Sequence, residues 1–327
     1  MFVNPAAILF TSMIFTSIAV VASAPSWLIA WVGLELNNLS FIPLILSNKN
    51  KRESESATKY FLTQALASVL FLVGGLMESS SFYTVTGSLL MNMALIIKIG
   101  GAPFHAWMPS VLEGMVWKSC FLLLTVQKAN PLILMTMVNK IEGAVMTTIL
   151  MSLVVGAYGG LSQTSIRKIL AFSSINHAGW FLSATMLSSY LTLTYFAIYL
   201  CLILAVISIT NNFNISHINQ SVNLMNNNAT QTVLMLGLLS LGGLPPFMGF
   251  LPKWLVLQNT MINGSAFLSV VMILMSLVTL YYYLRIAFAS FILSKSCHST
   301  KNENRICKMI IISNSLSLGG LLLTFMF

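Results

Sequence analysis

Residues 93–107 read MALIIKIGGAPFHAW, and this stretch decides the class of fold. Its apolar run carries Lys98 and then meets a Gly-Gly-Ala-Pro sequence, where proline removes a backbone donor and clashes with the preceding turn. Residues 239–257, LSLGGLPPFMGFLPKWLVL, repeat the pattern with a Gly-Gly-Leu-Pro-Pro sequence and Lys253. Each stretch predicts a long apolar helix that is interrupted close to a lysine.

The composition places both helices in a membrane. Of the 327 residues, 57% are hydrophobic and only 7% are charged, against roughly 25% charged in an average globular protein. A water-exposed surface of this composition would leave large apolar patches, so we predict an integral membrane protein. The net charge of +9 does not indicate nucleic-acid binding, because the basic residues are few and lie in short gaps between apolar runs.

Eleven apolar runs are long enough to cross a bilayer. Spanning ~30 Å takes about 20 helical residues at 1.5 Å each, whereas a transmembrane barrel would show short alternating segments. The pattern is helical and predicts an all-α polytopic membrane protein. The predicted spans are 3–23, 26–47, 58–77, 85–113 with a break, 116–138, 143–160, 166–187, 189–210, 231–259 with a break, 266–293 and 306–326.

The basic residues give an independent test of this topology. If the N-terminus lies on one side, here called side A, then Lys140 is the one loop lysine on the opposite side B. The positive-inside rule then places the N-terminus inside and, with an odd number of helices, the C-terminus outside. The side-A residues are Lys49, Lys51, Arg52, Lys118, Arg167, Lys168, Lys295, Lys301, Arg305 and Lys308.

Five ionisable residues fall at membrane depth, and a histidine is a possible sixth. A charge there costs about 2.5–3.5 kcal/mol on insertion scales, so such residues usually face a bundle interior or an aqueous cavity. For any one of them, the alternative is a side chain that snorkels to the interface or is paired only for structure. The five are Glu35, Lys98, Lys128, His177 and Lys253, and the sixth is His105.

The two interrupted helices carry a second signal. Discontinuous helices in lipid occur where they are buried in protein or line a wet cavity, and transporters place them in corresponding members of inverted repeats. Here they are the fourth and ninth spans, and an odd offset reverses the orientation. We therefore predict two inverted five-helix repeats of an antiporter-like fold. Two simple proline kinks are the alternative.

A row of buried lysines indicates proton chemistry. Desolvation lowers the pKa of a buried lysine, while a nearby carboxylate restores the charged form. One pKa unit is about 1.36 kcal/mol, and moving a proton against 100 mV needs ~2.3 kcal/mol, so the two magnitudes are comparable. We therefore predict a relay at mid-depth in which Glu35 pairs with Lys98. Proton occupancy then passes through Lys128 and His177 to Lys253.

The sequence contains no motif for a cofactor or a metal of its own. It lacks GxxxxGK[ST], a GxGxxG after a strand, and a set of nucleophile, base and orienting group. Its four cysteines have neither the spacing of a zinc site nor that of an iron-sulfur cluster. If the chain moves protons, another subunit must supply the energy.

Seven motifs follow one another from Trp31 to Arg285: WVGLELN, ATKYFLTQA, KIGGAPFHAWMP, LLTVQK, GGLSQTSIRKILAFSSINHAGW, LSLGGLPPFMGFLPKW and YYYLR. Together they closely resemble the antiporter-like chain 2 family of NADH:ubiquinone oxidoreductase, respiratory complex I. The resemblance implies a multi-pass protein of the mitochondrial inner membrane. Its implied partners are other membrane-arm subunits and inner-membrane lipids. NADH, FMN, the iron-sulfur clusters and ubiquinone would be bound by other subunits.

The resemblance also implies roles for single residues. Glu35 resembles the family's essential helix acid, Lys98 the lysine before the first break, and Lys128 the bridging lysine. Lys253 resembles the terminal lysine of the second broken helix, and His177 resembles a histidine that links the bridging lysine to this terminal lysine.

The sequence predicts a single membrane domain over residues 1–327. A first proton-channel-like repeat is expected at 23–187, a second at 189–293, and a C-terminal helix at 306–326. The expected function is that of a proton-translocating subunit of an oxidoreductase, without a redox centre in this chain. A structural membrane scaffold and a free-standing cation/proton antiporter are the alternatives.

Overall fold

A computed structural model describes residues 5–47, 50–80, 83–218, 220 and 228–292, which are helical apart from turns, loops and one isolated β-bridge between Ser165 and His217. The helices are α1 Pro5–Ala22, α2 Trp27–Ile45, α3 Lys51–Ser79, α4 Thr84–Ile99, α5 Trp107–Gly114, α6 Trp117–Leu124, α7 Val126–Met137, α8 Glu142–Leu161, α9 Ile166–Leu187, α10 Ser189–Asn212, α11 Asn228–Gly242, α12 Phe250–Ile262 and α13 Ala266–Ile292.

These helices confirm the all-α prediction and follow the first ten predicted spans in order. Both predicted breaks are present, since α4 and α5 divide the fourth span and α11 and α12 divide the ninth. Seven helical segments of the described ranges, with α6 and α7 taken together, are long and apolar enough to cross a membrane. The eleventh predicted span, 306–326, lies outside the described residues.

The third helix begins earlier than its apolar run predicted. We expected the span to begin at residue 58, but α3 starts at Lys51. The charged segment contains no helix breaker, Glu53 lies in the favourable first turn, and Lys59 forms an ion pair with Glu55 one turn earlier at 2.6 Å. Hydropathy therefore predicted only the part of α3 that is apolar enough to lie in lipid, and it missed the charged turns at the start of the helix.

A further break, which the sequence did not predict, divides the fifth span. Thr125 separates α6 from α7 with φ of −116° and ψ of −82°, and its hydroxyl donates to the Phe121 carbonyl at 2.5 Å. Neither glycine nor proline marks this position. The Phe121 carbonyl also accepts from the Thr125 backbone N–H at 3.1 Å, so two donors of the same residue meet this carbonyl at the end of α6.

The chain forms two compact units. Of the described residues, unit 1 contains those within 1–152 and 177–188, and unit 2 contains those within 153–176 and 189–292. In unit 1, α3 and α4 cross with touching backbones, because a Cβ on Gly74 would lie 2.8 Å from the Gly87 carbonyl oxygen. In unit 2, a Cβ on Gly249 would lie 1.8 Å from the Ser240 carbonyl oxygen, so the start of α12 approaches α11 even more closely.

Candidate functional site

The first broken helix places Lys98 in the last turn of α4. Gly100 ends this helix in the left-handed region with φ of +81°, and its N–H bonds to the carbonyls of Ile96 and Ile97. Trp107, at the start of α5, also donates from its indole nitrogen to the Ile97 carbonyl at 3.2 Å. The carbonyls of Ile96 and Ile97 at the break are therefore hydrogen-bonded. Lys98 lies at the negative end of the α4 helix dipole.

Lys98 is buried, with 5% of its surface exposed. Its ammonium group lies 3.5 Å from the Gln64 carbonyl oxygen on α3, which is a long and weak hydrogen bond. The half-buried Glu35 on α2 interacts electrostatically with both Lys98 and Tyr60. In the described ranges no direct ion pair joins Glu35 to Lys98, so the two charges act on each other over a longer distance.

Lys128 lies in the first turn of α7, directly after the unpredicted break at Thr125. Its side chain is 1% exposed, and its ammonium nitrogen lies 5.8 Å from the centre of the Phe181 ring on α9. Such a distance allows a cation–π attraction. His177, which is 7% exposed, precedes Phe181 by one helical turn and therefore shares its face of α9. Unit 1 thus brings Lys128 to the helix face that carries His177.

Lys98 and Lys128 line one cavity within unit 1. The cavity measures about 10 Å³, which is roughly the room that one water molecule needs. The other polar residues in its wall are Asn37, Asn38, Tyr60, Gln64 and Gln127.

Several polar atoms around this cavity have no protein partner. The buried Asn37 Oδ1, Asn38 Nδ2 and Gln127 Nε2 make no hydrogen bond, whereas the Tyr60 hydroxyl donates to Gln127 Oε1 at 3.2 Å. Buried polar groups in proteins are nearly always satisfied by protein or by water. The cavity therefore has both the volume and the hydrogen-bonding groups to hold water between the two lysines.

Lys253 lies in unit 2, at the second broken helix. Its ammonium group reaches back from the first turn of α12 and donates to the carbonyls of Gly242 at 2.8 Å and Leu241 at 3.3 Å. These are the last carbonyls of α11, and Gly243 follows them with φ of +80°. A buried lysine thus satisfies carbonyls that the break leaves without an intrahelical partner.

His105 lies apart from the cavity wall, in the segment between α4 and α5. Its Nδ1 is 3.1 Å from the Pro103 carbonyl oxygen, and its side chain is half-buried. Within the described residues, no group of three or more His, Cys, Asp or Glu side chains is arranged to bind a metal. A role for His105 in proton transfer stays a prediction.

Sequence reasoning did not single out Tyr60, Gln64 or Gln127. A signal was present, because polar residues in α3 recur at helical spacing on its buried face. These residues are Glu53, Ser56, Tyr60, Gln64 and Ser68. Tyr60, Gln64 and Gln127 carry no formal charge, so a search for charged residues at membrane depth passed over these three.

Comparison with known proteins identifies the family. The transmembrane family model of the NADH:quinone oxidoreductase/Mrp antiporter proteins matches residues 24–87 and 75–279. The NADH-ubiquinone oxidoreductase chain 2 of Anopheles gambiae is 43% identical to this chain over 96% of each sequence. The chain belongs to the NADH-ubiquinone oxidoreductase chain 2 family. The resemblance carried by the seven motifs is thereby confirmed.

Solved structures show the same fold as this chain 2 family member. A chain of respiratory complex I from Thermus thermophilus aligns with a TM-score of 0.88 at 24% identity, covering 98% of this chain and 78% of that chain. A chain of the Mrp complex from Dietzia sp. DQ12-45-1b aligns with a TM-score of 0.72 at 16% identity, covering 85% of this chain and 59% of that chain. At these identities the likeness is one of fold, and it confirms the antiporter-like architecture.

Proposed function

We propose that this chain is the antiporter-like chain 2 subunit of an NADH:ubiquinone oxidoreductase and contributes to proton translocation across the mitochondrial inner membrane. Proton translocation is driven by electron transfer from NADH to ubiquinone, and both NADH and ubiquinone bind to other subunits. Family membership supports the assembly, and the cavity shared by Lys98 and Lys128 supports the proton chemistry. The N-terminus faces the matrix and the C-terminus the intermembrane space, so side B is the intermembrane-space side.

The relay runs from Glu35 and Lys98 through Lys128 and His177 to Lys253. Its best supported step lies between the two lysines of unit 1, where a water in the cavity can exchange a proton with either ammonium group. Glu35 biases this exchange electrostatically, since a neighbouring carboxylate favours the protonated lysine. Its withdrawal or neutralisation therefore releases a proton.

The two units hold the groups of the relay in different local structures. Unit 1 holds the first four groups, and unit 2 holds Lys253 against the end of α11. Our proposed division into repeats at 23–187 and 189–293 follows the order of the broken helices. The final step to Lys253 is part of the proposal.

Replacing Lys128 with Met in the assembled complex tests the function. We expect normal assembly and a coupled rate that is lower by about tenfold or more, since positioned proton-transfer groups typically contribute ~10²–10⁴. The readouts are complex abundance on a native gel and, in inner-membrane vesicles, the rates of NADH oxidation and of proton movement per assembled complex. Lys59→Met is the matched control, because that lysine forms only an exposed pair with Glu55.

The alternatives give different results. A structural scaffold would assemble and pump normally with Lys128→Met, which would refute the proposed relay. A free-standing antiporter would show cation-dependent proton flux when the chain is reconstituted alone. We expect no such flux, because the chain belongs to a family named for an oxidoreductase subunit, in which electron transfer on other subunits drives the proposed proton movement.

A further inference from the structure

Three buried tyrosines lie close together in unit 2. Tyr195 and Tyr199 are four residues apart on α10 and share one face of that helix, whereas Tyr283 lies on α13. Their side chains are 2%, 1% and 1% exposed, respectively. Tyr283 interacts electrostatically with both tyrosines of α10. These three residues, here called the tyrosine row, therefore bring their phenol groups together in the interior of unit 2.

The tyrosine row begins next to Lys253. Gly242, the last residue of α11, contacts both side chains. Its carbonyl accepts from the Lys253 ammonium at 2.8 Å, and a Cβ built on it would lie 3.5 Å from Tyr283 Cδ2. The Tyr283 ring also packs against the ring of Tyr282, with the ring centres 4.6 Å apart. A single glycine thus lies between Tyr283 and the last group of the proposed relay.

Stability does not explain the hydroxyl of Tyr283. This hydroxyl is buried and lies close to those of Tyr282 and Ser173, but it makes no hydrogen bond of normal geometry with the protein. An unsatisfied buried group costs about 1–3 kcal/mol, and a phenylalanine would fill the same space without that cost. Buried hydroxyls of this kind are commonly satisfied by ordered water. The hydroxyl therefore has a use other than packing.

Helix α10 leads from the tyrosine row towards side B. The helix begins at Ser189, and alternation of the spans places this end on side B. Thr192, which is 4% exposed, lies in the first turn and precedes Tyr195 by three residues on the same buried face. The seven residues from Thr192 to Tyr199 span about 10 Å at 1.5 Å per residue. Buried hydroxyls at helical spacing thus connect the side-B end of α10 with Tyr283.

We propose that the tyrosine row carries protons from Lys253 towards side B. This inference rests on the proposed function, in which Lys253 is the last group of the relay. A phenol hydroxyl accepts one hydrogen bond while it donates another, so it can take up a proton on one side and release its own on the other.

The transfer needs water and no other reactant. The Lys253 ammonium gives a proton to a neighbouring water, so an N–H bond breaks, an O–H bond forms and a neutral amine remains. That water passes a proton to the Tyr283 oxygen, which gives its own hydroxyl proton to the next oxygen. Water bridges any gap longer than a hydrogen bond of ~2.8 Å. Each phenol ends unchanged, the proton leaves on water at side B, and the relay protonates Lys253 again.

Tyr283→Phe in the assembled complex is the direct test. The change removes one hydroxyl and keeps the ring against Gly242, so we expect normal assembly and undiminished thermal stability. Coupled proton movement per assembled complex should fall by about tenfold or more, since positioned proton-transfer groups typically contribute ~10²–10⁴. Tyr199→Phe should give a similar loss. Tyr281→Phe is the matched control, because this tyrosine is 62% exposed and lies outside the row.

The outcomes separate this inference from the function on which it rests. If Lys128→Met impairs pumping while Tyr283→Phe and Tyr199→Phe do not, the tyrosine row is refuted as a proton path and the proposed function stands. If all three variants pump normally, both fail. If Tyr283→Phe lowers the amount of assembled complex but not the proton movement per complex, its hydroxyl is a structural group and the inference is refuted.

Discussion

At the scale of single residues, the two lysines at the broken helices are more alike than the sequence suggested. Lys98 precedes its break and Lys253 follows its own, which makes the repeats asymmetric in sequence. The structure removes much of this difference, because Lys98 lies in the last turn of α4 and the Lys253 ammonium reaches the last carbonyls of α11. Each lysine therefore places its positive charge at the negative end of a half-helix.

Gly243 controls the position of Lys253. A Cβ at this glycine would lie 2.9 Å from Lys253 Cδ and 3.0 Å from its Nζ, and the backbone has φ of +80°. We expect Gly243→Ala to cost about 1–2 kcal/mol in backbone strain and, in addition, to displace the ammonium from Gly242. Because the Lys253 ammonium is displaced, coupled proton transfer by the assembled complex should fall.

Gly264→Ala separates these two effects. Gly264 also has a positive φ, of +76°, but no atom lies within 4 Å of a Cβ built there. The variant should carry similar backbone strain and keep its coupled activity per assembled complex. Equal losses of activity in the two variants would contradict a specific role for the Lys253 position.

At the scale of secondary-structure elements, basic side chains complete the C-terminal ends of three helices. Besides Lys253 at α11, Arg285 donates to the carbonyls of Leu161 at 2.5 Å and Gln163 at 3.0 Å at the end of α8. Lys140 donates to the Thr185 carbonyl near the end of α9. Carbonyls at a helix end lack intrahelical donors, and these basic side chains supply them.

We expect Lys140→Met to destabilise the chain by about 1.5–3 kcal/mol, the usual range for a hydrogen bond to a charged group. Burial lowers the pKa of Lys140, so part of this gain is offset by desolvation of its charge. Thermal inactivation of the assembled complex measures the effect. Lys59→Met, which loses only an exposed pair with Glu55, should change it by about 0.2–0.5 kcal/mol. Similar shifts in both variants would argue against the helix-capping role.

Close contact between α11 and α12 makes Gly249 intolerant of any side chain. The Cβ of Gly249→Ala would lie 1.8 Å from the Ser240 carbonyl oxygen, so backbone must move, at a cost of about 1–3 kcal/mol or more. The amount of assembled complex on a native gel should drop. Gly143→Ala meets no atom within 4 Å in the first turn of α8 and should leave assembly unchanged. Normal assembly of Gly249→Ala would show that this contact is not required.

Sequence patterns predicted the spans and two of the three breaks because apolar length, glycine and proline act locally. The break at Thr125 lies at an unusual backbone conformation, with φ of −116° and ψ of −82°, for which the sequence carries no marker. For the site, charge at membrane depth located Lys98 and Lys128. The neutral polar wall, including Tyr60 and Gln127, emerged only when α2, α3 and α7 were packed together.

At the scale of the whole molecule, helix capping accounts for the one exception to the charge bias. In the predicted topology, the basic loop residues lie on side A except for Lys140. Lys140 donates a hydrogen bond to the Thr185 carbonyl and therefore has a structural role at side B. The predicted orientation still rests on ten basic loop residues on side A against one on side B.

Thiol labelling from the two sides of the membrane checks this orientation. Ser54→Cys adds a thiol at an exposed position near the start of α3 on side A, and Gly143→Cys adds one at an exposed position of α8 on side B. In mitochondria stripped of the outer membrane, an impermeant reagent should modify Gly143→Cys at once and Ser54→Cys only after detergent. Inverted vesicles should give the reverse order, and the unsubstituted chain gives the background of its own cysteines. Labelling of both positions from one side would refute the topology.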